Sequence, residues 1–349
     1  MTHSKFSTQV RPPFDFGASR IWTDLDLNAE GHQRGWLRLN VSSSTNTGFI
    51  PIPVATFKNG DGPKVLLLGG VHGDEYEGQV MAMKLMRSLK LENVRGQIII
   101  LNATNAPAAY AGSRTSPLDD GNLNRAYPGD PRGTPTEEIA YLLNEVLLPG
   151  VDYLLDIHSG GTANYFLPSA HVYAHRDEAA MDHLLHLLKV FAMPVSIVLD
   201  GLFDHDKKAI GAADRLGVLR FATELGGAGY VSVDALRRAE VGLARLLHEI
   251  GLLREPITVE PAPATHFYSR LPNKQYGYAF ANGVWEAYHE VGEMVEEGEA
   301  IGAIHFAQEP WREPLVLHSR QAGMIYALRR PAITEMGQIL FIQAVPYVR

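Results

Sequence analysis

The 349-residue sequence contains no cysteine. Disulfides, thiolate metal centres and thiol nucleophiles are therefore excluded, and any metal must be held by His, Asp or Glu. Long hydrophobic runs are missing too, since no apolar stretch approaches the roughly 20 residues of a membrane-spanning helix. The first residues, Met1 to Ser7, lack the apolar segment of a secretory signal. Positive charge is in deficit: 31 Lys and Arg face 39 Asp and Glu, for a formal net charge of −8. That balance argues against sequence-independent grip on nucleic acid, although a basic pocket can sit inside an acidic chain. These absences predict a soluble cytoplasmic protein with no nucleic-acid or membrane partner, and a homo-oligomer is compatible with them. Phosphate-loop and dinucleotide fingerprints are also lacking. Gly69-Gly70-Val71-His72-Gly73 has neither the Lys-Ser/Thr ending nor the Gly-x-Gly-x-x-Gly spacing, and no Gly-x-Ser-x-Gly elbow occurs.

What is present is a well-patterned globular chain, 46% hydrophobic and 20% charged. Its length exceeds that of one ordinary compact domain. Residues 35–41 and 49–57 read as extended segments near the N-terminus. Strand and helix then alternate: strand 65–71, helix 76–90, strand 97–101, an irregular stretch 103–134, and a helix opened by a Thr134/Glu137 capping box. Strand 151–157, helix 177–192, strand 218–223 and helix 232–250 follow. This order predicts an α/β fold with a mainly parallel sheet flanked by helices. A proline-rich linker runs from Glu255 to Ala264. Beyond it the texture is short strands and turns, and residues 292–302 look like one copy of a unit repeated at 332–340. A small all-β domain with internal pseudo-symmetry is expected there, and it resembles the barrel-sandwich fold of biotinyl and lipoyl domains. No lysine follows Lys274, so that resemblance implies the fold and not the carrier function. Three parts are expected: a β-rich segment at 1–60 packing on the next part, a catalytic domain at 61–255, and a C-terminal β domain at 256–349.

Open parallel sheets bind ligands at the carboxyl ends of their strands. Here three strand ends carry polar residues suited to one site: His72 with Glu75, then His158, then Glu224. Two imidazoles and one carboxylate can hold zinc and leave a position open, which is a hydrolytic arrangement. Glu224 would be a natural general base beside such a site. Asp156, two residues before His158 on one strand, could orient that ligand. Each residue alone has an ordinary structural reading, and spacing does not exclude Asp74 or Glu77 as ligands. In the long loop, Asn124 and Arg125 could clamp a carboxylate, and Arg114 could stabilise an oxyanion. His183 with His186, His171 with His175, and Asp204-His205-Asp206 read as solvated polar groups.

As a set, Gly70-Val71-His72-Gly73-Asp74-Glu75, Asn122-Leu123-Asn124-Arg125, Asp156-Ile157-His158-Ser159-Gly160 and Thr223-Glu224-Leu225-Gly226-Gly227 resemble, in order, the motifs of the succinylglutamate desuccinylase/aspartoacylase family. This family is a branch of the zinc carboxypeptidase fold. The resemblance covers about residues 45–345. It implies one zinc ion per chain, with His72, Glu75 and His158 as ligands. It implies Glu224 as the acid/base, Asn124 and Arg125 as the clamp on a substrate carboxylate, and Arg114 as a further catalytic group. The Gly73 to Gly78 run and Thr223 to Gly227 look most like the deacetylases of N-alpha-acetyl-2,4-diaminobutyrate. The expected activity is metal-dependent hydrolysis of the amide of a small N-acyl amino acid. The alternatives are a zinc carboxypeptidase acting on small peptides and a non-catalytic protein that binds a small ligand.

Overall fold

The structure is a computed structural model that describes residues 10–42, 47–199, 205–256, 261–270 and 275–349. The N-terminal residues Met1 to Ser7, Asp204 of the 204–206 cluster, part of the proline-rich linker and Lys274 lie outside the described residues. The first half of the chain holds β1 (Gly31–Ser42), β2 (Thr47–Asn59), β3 (Lys64–Leu68), α1 (Tyr76–Ser88), β4 (Gly96–Leu101), α2 (Ala106–Ala111), α3 (Pro135–Tyr141) and β5 (Tyr153–His158). Next come β6 (Asn164–Phe166), β7 (Ser169–Tyr173), α4 (Glu178–Phe191), β8 (Val195–Leu199), α5 (Ala209–Arg215), β9 (Leu219–Glu224) and α6 (Val233–Glu249). The remainder is strand: β10 (His266–Arg270), β11 (Tyr276–Tyr278), β12 (Gly283–Ala287), β13 (Met294–Val295), β14 (Ala300–His305), β15 (Leu315–His318), β16 (Gly323–Arg329), β17 (Ile333–Thr334) and β18 (Ile339–Pro346).

A 14-stranded sheet runs in the order β1-β2-β4-β3-β5-β9-β7-β8-β10-β18-β16-β13, with β6 and β11 attached at its side. Its centre is mainly parallel: β4, β3, β5 and β9 pair in parallel, as do β7, β8 and β10, and β7 runs antiparallel to β9. The central strands are buried on both faces, which is why they read as continuous apolar runs. Alternate residues serve opposite cores. Val65 and Leu67 of β3 pack with α1, α4 and α6, whereas Leu66 and Leu68 pack with α3 and the N-terminal Phe14, Ile21 and Leu27. The expected capping box is formed, with the Glu137 carboxylate accepting from the Thr134 N–H at 2.7 Å.

The main sheet continues into the C-terminal strands. β10 pairs in parallel with β8 and antiparallel with β18, and β6 pairs with β16. β12, β14, β15 and β17 form a separate four-stranded sheet. Trp285 and Ile304 of that sheet share a core with Val295, Ile325, Leu340 and Phe341 of β13, β16 and β18. The repeat read from the sequence has a structural counterpart. β13 and β14, like β17 and β18, are joined by a tight turn with a left-handed glycine, Gly298 (φ 84°) and Gly337 (φ 91°). Among the described residues, however, the paired strands form two sheets over one core and not a closed barrel.

Three local expectations change. The stretch 103–134 is not wholly irregular: Pro107 sets the first turn of α2, and Gly112 ends it at φ 61°. Strand β3 stops at Leu68, because Gly70 turns the chain at φ 67° and a Cβ on Gly69 would lie 2.6 Å from the Gly78 carbonyl oxygen of α1. β7 and β8 are strands beyond those expected from the sequence. The apolar run Val195 to Leu199 after Pro194 was the available signal for β8.

Candidate metal centre and active-site cavity

The loop leaving β3 carries the first polar group. It is pressed against α2 so closely that a Cβ on Gly73 would stand 2.0 Å from the Ala108 carbonyl oxygen. The Gly73 N–H donates to the Ser113 carbonyl at 2.9 Å, fixing the loop between His72 and Glu75. Glu75 is the N-cap residue of α1 but caps nothing with its side chain. Its carboxylate instead turns inward, with Oε1 2.7 Å from His72 Nδ1 and Oε2 2.8 Å from His158 Nδ1. The Ser159 N–H donates to Oε2 at 3.1 Å and Arg114 donates to Oε1 at 3.1 Å. One donor atom from each of His72, Glu75 and His158 lies within 4.8 Å of the others, and all three residues are buried.

The far nitrogens of the two rings face oxygens. His72 Nε2 is 3.2 Å from the Asn122 side-chain oxygen, and His158 Nε2 is 3.0 Å from Asp156 Oδ1. The His158–Asp156 contact is off line for a good hydrogen bond, and neither atom has another partner. If each Nε2–H faces its oxygen, the Nδ1 lone pairs both point at carboxylate oxygens. Acceptor then confronts acceptor at two places, a conflict that either a proton or a metal cation between them removes. That is the polarity a divalent ion requires, and the N/O donor set suits zinc. In the protein alone, His72 and His158 beside Glu75 outweigh its burial and hold it well below the usual carboxylate range. Asp156 and Glu75 likewise outweigh burial at His158 and raise it well above the ordinary imidazole value.

The two other carboxylates of the α1 segment point elsewhere. Asp74 Oδ2 accepts from the Thr162 N–H at 2.8 Å and its hydroxyl at 3.0 Å, tying together the loops after β3 and β5. Glu77 accepts from the Ser232 N–H at 3.1 Å.

Register brings Glu224 to the same place. β5 and β9 pair in parallel so that His158 and Glu224 are ladder partners at the ends of their strands. One Glu224 oxygen is buried without a hydrogen-bond partner. Burial, and then the nearby Glu75 carboxylate, push Glu224 up to about 8. His72, Glu75, Arg114, Asn124, Arg125, His158 and Glu224 all line one cavity of about 340 Å³. Asn122 accepts from the Asn124 N–H at 3.0 Å, so the tight turn at Leu123–Arg125 is anchored by the amide that also faces His72.

The cavity also contains groups that the sequence reading missed: Lys208, Arg220, Arg270, Tyr173 and Tyr276. His171 belongs there too and is buried, not solvated, and its neighbour in the sequence pairing, His175, accepts from the Asp177 N–H at 3.0 Å. His183 contacts the Tyr153 hydroxyl at 3.1 Å, and His186 pairs with Glu249 at 2.8 Å on the surface. Arg220 donates to Asp156 Oδ2 at 2.7 Å, both groups being buried. Asp156 thus bridges Arg220 and His158. We expect Arg220→Met to destabilise the fold by about 3–5 kcal/mol, because it strands a buried carboxylate. Urea unfolding measures this, and Asp156→Asn in the same background should recover part of the loss.

Residues 61–250 match the family model described as the succinylglutamate desuccinylase/aspartoacylase catalytic domain. The chain is 36% identical over 345 residues to the N-alpha-acetyl-L-2,4-diaminobutyric acid deacetylase of Halomonas elongata, with 98% of each chain covered. Among solved structures it is similar to a succinylglutamate desuccinylase/aspartoacylase from Rhodobacter sphaeroides. The TM-score is 0.89 at 34% identity, covering 95% of this chain and 100% of the other. It is equally similar to the product-bound ectoine utilization protein EutE (DoeB) of Ruegeria pomeroyi, with TM-score 0.89, 32% identity, and 94% and 99% coverage.

Proposed function

The chain belongs to the succinylglutamate desuccinylase/aspartoacylase family, and from that membership we propose that it is a zinc-dependent deacylase whose substrate is N-alpha-acetyl-2,4-diaminobutyrate or a close N-acyl amino acid. Its amidohydrolase class follows from the family and from the deacetylase relative that matches along nearly the whole chain. The observation that carries the finer reading is the convergence of two imidazoles, Glu75 and Glu224 on one cavity from three strand ends. The likeness of the C-terminal part to a barrel-sandwich fold, and its standing as a separate domain after residue 255, belong to the same proposal.

In this reading His72, His158 and Glu75, whose Nδ1 atoms and carboxylate converge, would hold the ion. A divalent ion there would polarise the scissile carbonyl and make water a competent nucleophile near neutral pH. Asn124 and Arg125 hold the amino-acid carboxylate, the planar guanidinium matching its two oxygens. Glu224 accepts a proton from the attacking water on its unpartnered oxygen and returns it to the leaving nitrogen. Burial and then the Glu75 carboxylate raise Glu224 in the metal-free protein, and a divalent ion beside Glu75 would draw it back toward the neutral range in which a carboxyl group can both accept and return a proton. Arg114, already directed at the cluster, donates to the oxygen that gains charge. Asp156 and Asn122 keep the two imidazoles in position.

A hydrolysis screen of N-acetyl-, N-succinyl- and N-formyl-amino acids, with N-alpha-acetyl-2,4-diaminobutyrate and small peptides included, tests the reading alongside metal analysis of the same sample. Release of acetate from the diaminobutyrate derivative, with about one divalent ion per chain, is the expected result. A metal-loaded protein that cleaves only peptides, or nothing, would overturn it.

A further inference from the structure

We propose that Arg270 forms an anion subsite at the end of the cavity built by the C-terminal strands, where it takes a carboxylate carried by the substrate or formed in the released acid. This inference rests on reading the cavity as the substrate site. Arg270 is the last residue of β10, and its pairing with Leu199 of β8 brings it into the main sheet beside the strands that carry the proposed chemistry. The part of its surface left uncovered opens on the same cavity as Glu224.

Arg270 is half-buried, and the environment of its guanidinium is unusual for an arginine so enclosed. The Tyr276 ring centroid lies 5.8 Å from its Cζ. The other groups that act on it electrostatically are Tyr326, Tyr173 and Glu224. Among the described residues no carboxylate comes within ion-pair distance. Arg220, on the neighbouring wall, shows the contrast: its guanidinium lies 2.7 Å from Asp156 Oδ2. Asp156 is itself shared with His158 at 3.0 Å. His171 adds no negative charge, and burial with Arg220 nearby keeps it neutral by depressing it to about 3. The Tyr326 hydroxyl is engaged with Ser169 at 2.7 Å. Among the described residues, the guanidinium groups of Arg220 and Arg270 thus face two carboxylates, Asp156, which Arg220 and His158 already share, and Glu224, which is not within ion-pair distance of Arg270.

A guanidinium partly withdrawn from water, with no carboxylate among the described residues close enough to pair with it, is well placed to meet an anion that arrives. Its planar fork offers parallel donors that match the two oxygens of a carboxylate, while the tyrosine rings shield the pair from solvent. Arg125 lines the same cavity from the turn at Leu123–Arg125. A molecule with a carboxylate at each end would be gripped by one guanidinium from the loop and another from β10.

The test uses the full-length protein with its bound metal and two variants, Arg270→Gln and Arg270→Lys. Acetate and succinate are the probes, titrated by calorimetry, with steady-state kinetics on N-acetyl- and N-succinyl-amino acids in parallel. Arg270→Gln should weaken carboxylate binding at least tenfold. Arg270→Lys, which keeps the charge but loses the fork and should preserve folding, should weaken it several-fold. If acetate inhibition relaxes while KM for N-acetyl substrates is unchanged, the anion is the released acid. If KM rises selectively for substrates carrying the extra carboxylate, the anion belongs to the substrate. Carboxylate affinities and KM within twofold of the unaltered protein in Arg270→Lys, or in a folded Arg270→Gln, would overturn the proposal even with turnover intact. Arg270-dependent carboxylate binding without any acyl-amino-acid hydrolysis would instead overturn the proposed function and leave the subsite standing.

Discussion

Replacing Glu224 by glutamine should leave the metal in place and lower kcat by about 10²–10⁴-fold, the range typical of a positioned acid/base. The two side chains have nearly the same shape, so the strand end and its pairing with His158 are preserved. What disappears is the ability to take a proton. Glu224 has one oxygen buried at the cavity with no hydrogen-bond partner, and that atom is free for the transfer. In the metal-free protein burial and then Glu75 push this carboxyl up to about 8, because both disfavour its charge. Glutamine offers an amide oxygen in the same place, but that oxygen is far too weak a base to deprotonate water. KM should change little, since substrate grip is assigned to Asn124 and Arg125. The measurement is kcat and KM together with metal content per chain. A fully loaded Glu224→Gln protein that turns over within tenfold of the unaltered enzyme would remove Glu224 from the mechanism.

The residues converging on the cavity were legible in the sequence for a physical reason. Strands covered on both faces become continuous apolar runs, so a histidine or glutamate at the end of such a run marks a sheet edge where ligands bind. His72, His158 and Glu224 stand at such places. Less legible was which carboxylate of the 74–77 segment would face the histidines. That depends on how α1 starts: Glu75 at the N-cap position faces inward, whereas Asp74 is drawn to Thr162 and Glu77 to Ser232. The Asp156–Arg220 pair had an unused signal. Two opposite charges inside two apolar runs must find each other if the strands are neighbours, because neither can be buried alone. Arg270 had no local signal at all. Its position depends on β10 adding to β8, a pairing between two short strands far apart in the sequence. The C-terminal repeat was readable from its glycine turns, but the pairing of its two copies with different partner strands was not, because short strands carry no mark of register.

The carboxylate of Glu75 gives the second large effect. Glu75→Gln should abolish stable metal binding and with it the hydrolytic activity, and it should also destabilise the metal-free protein, which loses the buried carboxylate that faces both imidazoles. Both imidazoles direct Nδ1 at this carboxylate, at 2.7 and 2.8 Å, while their other nitrogens face Asn122 and Asp156. With a carboxylate in the middle, the cluster needs positive charge to reconcile lone pairs that face one another. An amide changes that polarity, since its NH₂ group can donate to one Nδ1 and its oxygen can still accept from the Ser159 N–H or from Arg114. The variant cluster keeps a lone-pair conflict at only one of the two Nδ1 atoms, which a single proton settles, and it presents one anionic ligand fewer to any ion that enters. Thermal unfolding with and without added zinc reads both halves of the argument. Zinc at a hundred times its dissociation constant should stabilise the unaltered protein by about 2.7 kcal/mol and should leave the melting temperature of Glu75→Gln unmoved. A variant that still gains stability from zinc would show that the ion is held elsewhere, and His72, Glu75 and His158 would then lose their assigned role.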